Sequence, residues 1–175
     1  MKSLCTAIAT CVAAAPAIGQ VPLPDQMPLS GAIFKFHKGA SQEFLQRYLP
    51  DLKCQPFNGA VLCMTPVDEI SQIFIRNVKC APPRPITYTI RGGKAVSASC
   101  HVSAGEARRL NAEHSRRFGP PATAQKDVPP MLATRETWKI GNGDEVSITH
   151  FYGNDIQGRP IEDYVIGMAP QEAAR

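Results

Sequence analysis

The 175-residue chain has little excess charge and no apolar run long enough to cross a bilayer. A transmembrane helix needs about 20 apolar residues, and the apolar run Leu4–Ala15 is shorter than that. The formal charge is +4, and removal of Lys2 with the N-terminal segment would take it to +3, which is too mild to indicate nucleic acid. The sequence therefore predicts neither a membrane span nor a nucleic-acid partner.

Short motifs that mark catalytic or cofactor sites are missing as well. The sequence has no G-x-S-x-G, H-E-x-x-H or C-x-x-C motif, and no glycine-rich phosphate loop or dinucleotide fingerprint. These patterns place a nucleophile, a metal or a phosphate in a defined local geometry. Without them, the sequence predicts no catalytic residue, no metal site and no cofactor, which favours a binding role over an enzymatic one.

The N-terminus has the pattern of a secretory signal peptide. A positive Met1-Lys2 precedes the uncharged apolar run Leu4–Ala15, and Ala17 and Gly19 supply small residues at the two positions that a signal peptidase reads. We expect residues 1–19 to be removed before Gln20. This predicts a soluble periplasmic or secreted protein.

Four cysteines remain after this cleavage, and an even number in an exported protein indicates disulfides. Four cysteines allow three connectivities. We favour Cys54–Cys63 and Cys80–Cys100, because each pair can close across neighbouring strands. A zinc site is the alternative, which the absence of C-x-x-C and the exported location disfavour.

The stretch Arg84–Pro121 has the clearest local pattern. Apolar and threonine residues alternate over Ile86–Ile90, which is typical of a half-buried strand. Gly92-Gly93 can form a tight turn, and the returning strand is expected to place Val96 and Ala98 on its apolar face. Ser103 then begins a helix, with a Ser-x-x-Glu capping box, that ends at Gly119. An apolar stripe along that helix comprises Ala107, Leu110, His114 and Phe118.

The rest of the chain predicts one domain between flexible ends. Residues 20–31 form a proline-containing flexible lead-in, residues 32–168 a single α+β domain, and residues 169–175 a frayed tail. Residues 122–132 are polar and are expected to form an exposed loop. Besides a helix over Gln42–Leu49, strands are predicted over residues 32–36, 60–64, 70–78, 136–140, 145–152 and 161–167.

The order helix, hairpin, strands occurs twice, from Gly39 and from Ser103. It predicts an α+β fold with two α-β units in tandem, which share one antiparallel sheet and carry two short helices on one face. The stretch Lys38–Leu45, followed by Cys54 and Cys63 around a short hairpin, resembles the β-lactamase-inhibitor-like proteins and related small exported α-β repeat domains. The resemblance implies this fold and a habit of binding protein partners, and it carries over no functional residue.

Four arginines are the most distinctive charged feature of the second helix: Arg108, Arg109, Arg116 and Arg117. They are either a solvated face with local pairs to Glu106 and Glu113, or an anion-binding site for lipid headgroups, cell-wall polymers or an acidic protein. In the second case, replacing Arg109 and Arg116 together would remove binding and leave the melting temperature nearly unchanged.

His150 is the best candidate for catalysis among the four histidines, because Asp155 follows in a loop and could orient its ring. An exposed histidine at a strand end is the alternative. His114 falls in the apolar stripe of its helix and is expected to be a packed, hydrogen-bonded core residue. His101 falls on the polar face of its strand, and His37 in a loop.

Three functions are consistent with these patterns. The first is an exported, non-enzymatic binding or accessory protein of the cell envelope, which acts on an envelope protein or an anionic envelope component through its sheet or its basic helix. The second is a small periplasmic hydrolase that uses His150 with Asp155, and the third is a purely structural envelope factor. The missing nucleophile and metal motifs favour the first, and no feature of the sequence fixes an oligomeric state.

Overall fold

A computed structural model describes residues 35–129, 131–155 and 157–170 of the chain. The predicted signal peptide, the proline-containing lead-in and residues 171–175 of the predicted tail lie outside the described residues. Ala169 and Pro170, which the sequence predicts to be part of that tail, belong to the last strand.

Within the described residues, each of three helices is followed by two or more strands. The helices are α1 (Gln42–Tyr48), α2 (Glu69–Phe74) and α3 (Ala104–Phe118). The strands are β1 (Lys35–Phe36), β2 (Lys53–Phe57), β3 (Ala60–Thr65), β4 (Ile75–Arg76), β5 (Ile86–Arg91), β6 (Lys94–Val102), β7 (Ala122–Val128), β8 (Met131–Ile140), β9 (Asp144–Asn154) and β10 (Pro160–Pro170). A single turn of 3₁₀ helix, Gly141–Gly143, joins β8 to β9.

Eight strands form one antiparallel sheet in the order β2-β3-β5-β6-β10-β9-β8-β7, and β1 pairs with β4 separately. The sheet consists of two four-stranded halves, each preceded by a helix, and they meet where the last strand of each half pairs: β6 with β10. These two strands are antiparallel, so a rotation of half a turn about an axis perpendicular to the sheet relates the halves. This rotation does not exchange the two faces of the sheet. The helices of the two halves, α1 and α3, therefore pack on the same face. The predicted α+β class and the tandem α-β units are therefore confirmed.

Side-chain caps explain where the helices begin. The Ser41 hydroxyl accepts a hydrogen bond from the Phe44 amide at 3.0 Å, and the Ser103 hydroxyl accepts one from the Glu106 amide at 3.2 Å. Each cap satisfies one of the amides that a helix N-terminus leaves without an intrahelical partner. Gly119 ends α3 with a positive φ of 83°, a conformation that glycine adopts without strain.

Two segments differ from their predicted structure. Residues 70–78 are rich in β-branched and aromatic side chains, but Asp68 and Ser71 form a reciprocal capping box that begins the short helix α2. Residues 122–128 form the edge strand β7 instead of a loop. This strand pairs with β8 on one side only and is exposed over most of its length, so it lacks the apolar alternation of a half-buried strand.

The core lies between the sheet and its helices. Alternate residues of the central strands are buried on the helical face, and they pack with the buried residues of α1 and α3 in one cluster. From the strands this cluster takes Ile86, Tyr88, Ile90, Ala95, Ala98, Cys100, Val102, Trp138, Ile140, Val146, Ile148, Ile166 and Met168. The opposite face carries the other set of alternate residues.

Both predicted disulfides are confirmed. Cys54 and Cys63 are directly opposite each other on β2 and β3 and are bonded. Cys80 is bonded to Cys100 and fastens the segment before β5 to the central strand β6. The two halves are also joined by the ammonium of Lys38, next to α1, which donates to the buried carboxylate of Asp144 at the start of β9.

Candidate functional site

The face of the sheet opposite the helices is lined by small polar side chains. We call this surface the open face. Its members on the five central strands point away from the buried core, and most of them are half-buried. The small polar members are Thr87, Thr89, Ser97, Ser99, Ser147, Thr149 and Thr137, and the same face also carries Val165 and Gly167.

A close approach between two strands explains one glycine on the open face. Gly167 of β10 is directly opposite Ser99 of β6. A Cβ atom on Gly167 would lie 3.3 Å from the Ser99 Cβ and 3.6 Å from the Ala98 carbonyl oxygen. Glycine therefore keeps the middle of the open face free of a side chain.

A β-bulge changes the face that Val96 occupies. The pairing of β5 with β6 shifts between Thr89 and Ile90, which leaves one extra residue in β6. As a result Ala95 is buried opposite Ile90, and Val96 joins Ser97 on the open face. The prediction that Val96 shares the apolar face of Ala98 is wrong, because a strict alternation does not survive the extra residue.

The bulge borders a depression of about 650 Å³ on the open face. Its lining combines small polar residues of β5, β6 and β8 with the end of β10. Two arginines, Arg91 and Arg135, and one glutamate, Glu145, also line it. With two positive charges against one negative charge, this depression has a local excess of positive charge and attracts carboxylates.

His101 lies on the open face, as predicted, and has a carboxylate partner that the sequence did not reveal. Its Nδ1 atom is 2.9 Å from Oδ1 of Asp163, and both side chains are about one quarter exposed. His101 is on β6 and Asp163 is on β10. The residue of β10 directly opposite His101 is Val165, two positions from Asp163. Because the carboxylate orients the imidazole through Nδ1, Nε2 is left to contact a molecule on this face.

Arg109 is already engaged within the protein. Its guanidinium donates to both carboxylate oxygens of Glu106 at 2.8 and 2.9 Å, and to Glu113 at 2.9 Å. It also donates to the carbonyl oxygen of Asn77 at 2.8 Å, which ties α3 to the segment after β4. Glu106 does not complete the predicted capping box, because its Oε1 atom accepts a hydrogen bond from the Lys79 amide at 3.0 Å. These partners make Arg109 a structural residue.

The four arginines of α3 do not share one surface. At 100° per residue, Arg108 and Arg117 are separated by about half a turn around the helix axis. Arg108 lines a cavity between α3 and the sheet, whereas Arg109 lines a separate groove with Asn77. Arg116 and Arg117 are exposed near the C-terminal end of the helix. The predicted anion site therefore lacks a single rigid array of free guanidinium groups.

His150 has a different carboxylate neighbour from the predicted one. Its Nε2 atom is 3.6 Å from Oε1 of Glu162, and its ring stacks parallel on Tyr164 with 4.3 Å between ring centres. The Tyr164 hydroxyl donates to the same Glu162 oxygen at 2.6 Å, and this hydrogen bond raises the pKa of Tyr164.

Asp155 organises the turn between β9 and β10. Its carboxylate accepts hydrogen bonds from the amides of Gln157 and Arg159, each at 2.8 Å, and from Nε of Arg159 at 2.7 Å. The bond from the Arg159 amide is the main cause of the lowered pKa of Asp155. The structure therefore gives Asp155 a role in the turn in place of the predicted role of orienting His150.

His114 is a packed core residue, as predicted. It is fully buried, its Nδ1 atom donates to the Leu110 carbonyl oxygen at 2.6 Å, and its ring lies 5.2 Å from that of Trp138. Burial lowers the pKa of His114, so its imidazole is neutral near pH 7. His37, predicted in a loop, is also fully buried, and its ring packs against Phe74.

Within the described ranges, His, Cys, Asp and Glu side chains form no group of three or more that could hold a metal ion. None of the helices in that part of the chain has the length and apolar character needed to cross a bilayer. Comparison of the chain with protein-family models, with curated proteins and with solved structures found no match.

Proposed function

We propose that this chain is an exported, non-enzymatic binding protein of the cell envelope, which holds an acidic segment of a partner protein on the open face of its sheet. The observation that carries the proposal is the difference between the two faces. One face packs against the helices through a continuous apolar core, and the other presents small polar side chains around a depression.

The chemistry of the open face supports a protein partner. Serine, threonine and glycine leave the backbone accessible and cost little side-chain entropy when they are buried by a partner. Arg91 and Arg135 can form bidentate contacts with carboxylates, and both line the same depression. The open face therefore suits a segment that carries aspartate or glutamate.

The basic helix is the less favourable surface. Arg109 already binds two carboxylates and a backbone carbonyl, and Arg108 lines a different cavity. Export is supported by the two disulfides, because such bonds form and persist in oxidising compartments. A purely structural envelope factor would not need an arginine-lined depression on its open face.

Two double variants with the same change in charge test the proposal. Arg91→Glu with Arg135→Glu reverses the charge of the open face, and Arg116→Glu with Arg117→Glu reverses exposed charges on α3. Each protein is immobilised and incubated with envelope extract, and the retained proteins are identified and eluted with increasing salt. Melting curves verify that each variant is folded.

We expect the parent and the α3 variant to retain the same acidic protein, and the open-face variant to lose it. The bound protein should be released as the salt concentration rises, because exposed charges are screened beyond about 8 Å at 0.15 M salt. Loss of binding in the α3 variant alone would place the interface on the basic helix. Retention of the protein by all three, or by none, would overturn the proposal.

A further inference from the structure

A second cavity lies on the helical face of the sheet, away from the open face. It measures about 280 Å³, is open to solvent and lies between the first half of α3 and the strands β8, β9 and β10. Pockets for drug-sized ligands measure about 300–1,000 Å³, so this volume suits a more compact molecule. We call it the α3 cavity. Its lining includes Arg108 and Asn111 from the helix, Thr134 and Glu136 from β8, His150 from β9 and Tyr164 from β10.

Two side chains of opposite charge line the α3 cavity and do not form an ion pair with each other. Arg108 projects from the helix, and Glu136 projects from the sheet. Among the described residues, Arg108 has no ion pair within 4.0 Å and no hydrogen bond. Arg108 is exposed and Glu136 is half-buried, and the two charges are carried by elements that face each other across the cavity. The α3 cavity is therefore dipolar, with its positive end at Arg108.

The Glu136 carboxylate is fixed in position but keeps binding capacity. Asn111 donates from Nδ2 to Oε2 of Glu136 at 2.5 Å, which orients the carboxylate. Oε1 of Glu136 has no donor among the described residues. A carboxylate accepts several hydrogen bonds, so a ligand ammonium can bind at Oε1. Asn111 thereby acts as a positioning residue for the negative end of the cavity.

A flat aromatic wall completes the α3 cavity. The rings of His150 and Tyr164 are parallel to within 4°, and Thr134 is directly opposite His150 on the neighbouring strand. The hydrogen bond from Tyr164 to Glu162 holds its end of the stack in place. Nε2 of His150 is shielded from water and has no hydrogen-bond partner among the described residues. This wall can pack against a small ligand side chain.

We propose that the α3 cavity binds a single free amino acid, with its carboxylate on Arg108 and its ammonium on Glu136. A zwitterion matches two separated opposite charges, whereas a simple anion or a simple cation satisfies one charge and leaves the other unpaired. The site lies on the helical face, and its occupancy is independent of partner binding on the open face.

Binding is tested on the folded protein by NMR titration with glycine, L-alanine and L-serine. Acetate and methylammonium serve as matched ligands that carry only one of the two charges. The ring protons of Tyr164 and His150 report occupancy of this particular cavity, and the concentration dependence of their shifts gives Kd. We expect saturable shifts with at least one amino acid below about 10 mM, and shifts with acetate and methylammonium that do not saturate over the same range.

Three single variants locate the site. Arg108→Gln and Glu136→Gln should each weaken amino-acid binding roughly tenfold or more, as expected for the loss of a charged hydrogen-bonding partner. Arg116→Gln removes an arginine that is exposed on the same helix but does not line the cavity, and it should bind as the parent does. The proposal is overturned if no amino acid gives saturable shifts, if acetate and methylammonium bind equally well, or if Arg108→Gln and Arg116→Gln bind alike.

Discussion

Replacing Arg109 by glutamine is expected to destabilise the protein by about 1–2 kcal/mol. The guanidinium binds Glu106 and Glu113 and donates to the Asn77 carbonyl oxygen. Exposed ion pairs contribute about 0.2–1 kcal/mol each, and Arg109 is 48% exposed, so its two pairs fall in that range. The hydrogen bond to Asn77 adds a tertiary contact, because it joins α3 to the segment after β4.

The destabilisation caused by Arg109→Gln should depend on salt and pH, and this dependence identifies its source. The bond from Arg109 is the main cause of the lowered pKa of Glu106. A carboxyl group with a lowered pKa in the folded state contributes stability above its unfolded pKa of about 4.3, and the contribution is lost as pH falls through the folded value. The difference in free energy of unfolding between the parent and Arg109→Gln should therefore be largest at pH 7 and become smaller below about pH 4. It should also shrink in 1 M salt, which screens exposed pairs.

Urea denaturation of both proteins measures the difference, with Arg116→Gln as the matched control. Arg116 is exposed on the same helix, and its replacement should change the free energy of unfolding by less than about 0.5 kcal/mol. A double-mutant cycle with Glu106→Gln isolates the energy of the pair. If Arg109→Gln proves as stable as Arg116→Gln, Arg109 is a solvated residue and the stability argument fails. The earlier expectation of a nearly unchanged melting temperature would then hold.

Two further perturbations have expected outcomes. Replacing Cys80 and Cys100 by alanine should destabilise the protein by about 3 kcal/mol in the chain-entropy description, because their separation of 20 residues sets the loop closed by the bond; a loss below about 1 kcal/mol in urea denaturation would contradict it. Burial lowers the pKa of His114, so the unfolded chain binds its proton more readily, and stability should fall as pH decreases below about 6.5. His114→Phe should reduce this dependence between pH 7 and pH 5, and an unchanged pH profile would refute a role for His114.

Local chemistry made much of this fold predictable. The hairpin at Gly92-Gly93, the helix after Ser103 and the two disulfides all depend on nearby residues, and the structure contains each of them. The errors arise where tertiary context decides. Residues 122–128 form an edge strand with polar residues on both faces, so no hydrophobic period indicates it. Val96 changes face because of one inserted residue that only strand pairing reveals.

The candidate sites were harder to predict from the sequence, because the residues that form each site are far apart along the chain. His101 and Asp163 are 62 residues apart and meet only because β6 pairs with β10. Arg109 and Asn77 are 32 residues apart, and the carbonyl that Arg109 binds carries no sequence signal. The sequence shows which residues are charged or reactive. Which residue each of them contacts depends on the order of strands in the sheet.

The position of β10 at the centre of the sheet has a kinetic consequence. It is the last strand along the described chain, yet it fills the space between β6 and β9 and joins the two halves. Until residues 160–170 are in place, each half exposes an unpaired inner edge and part of its apolar face. Pairings between residues so far apart in sequence form slowly. The chain should therefore remain open to chaperones, proteases and aggregation until its final strand docks, and then close in one late step.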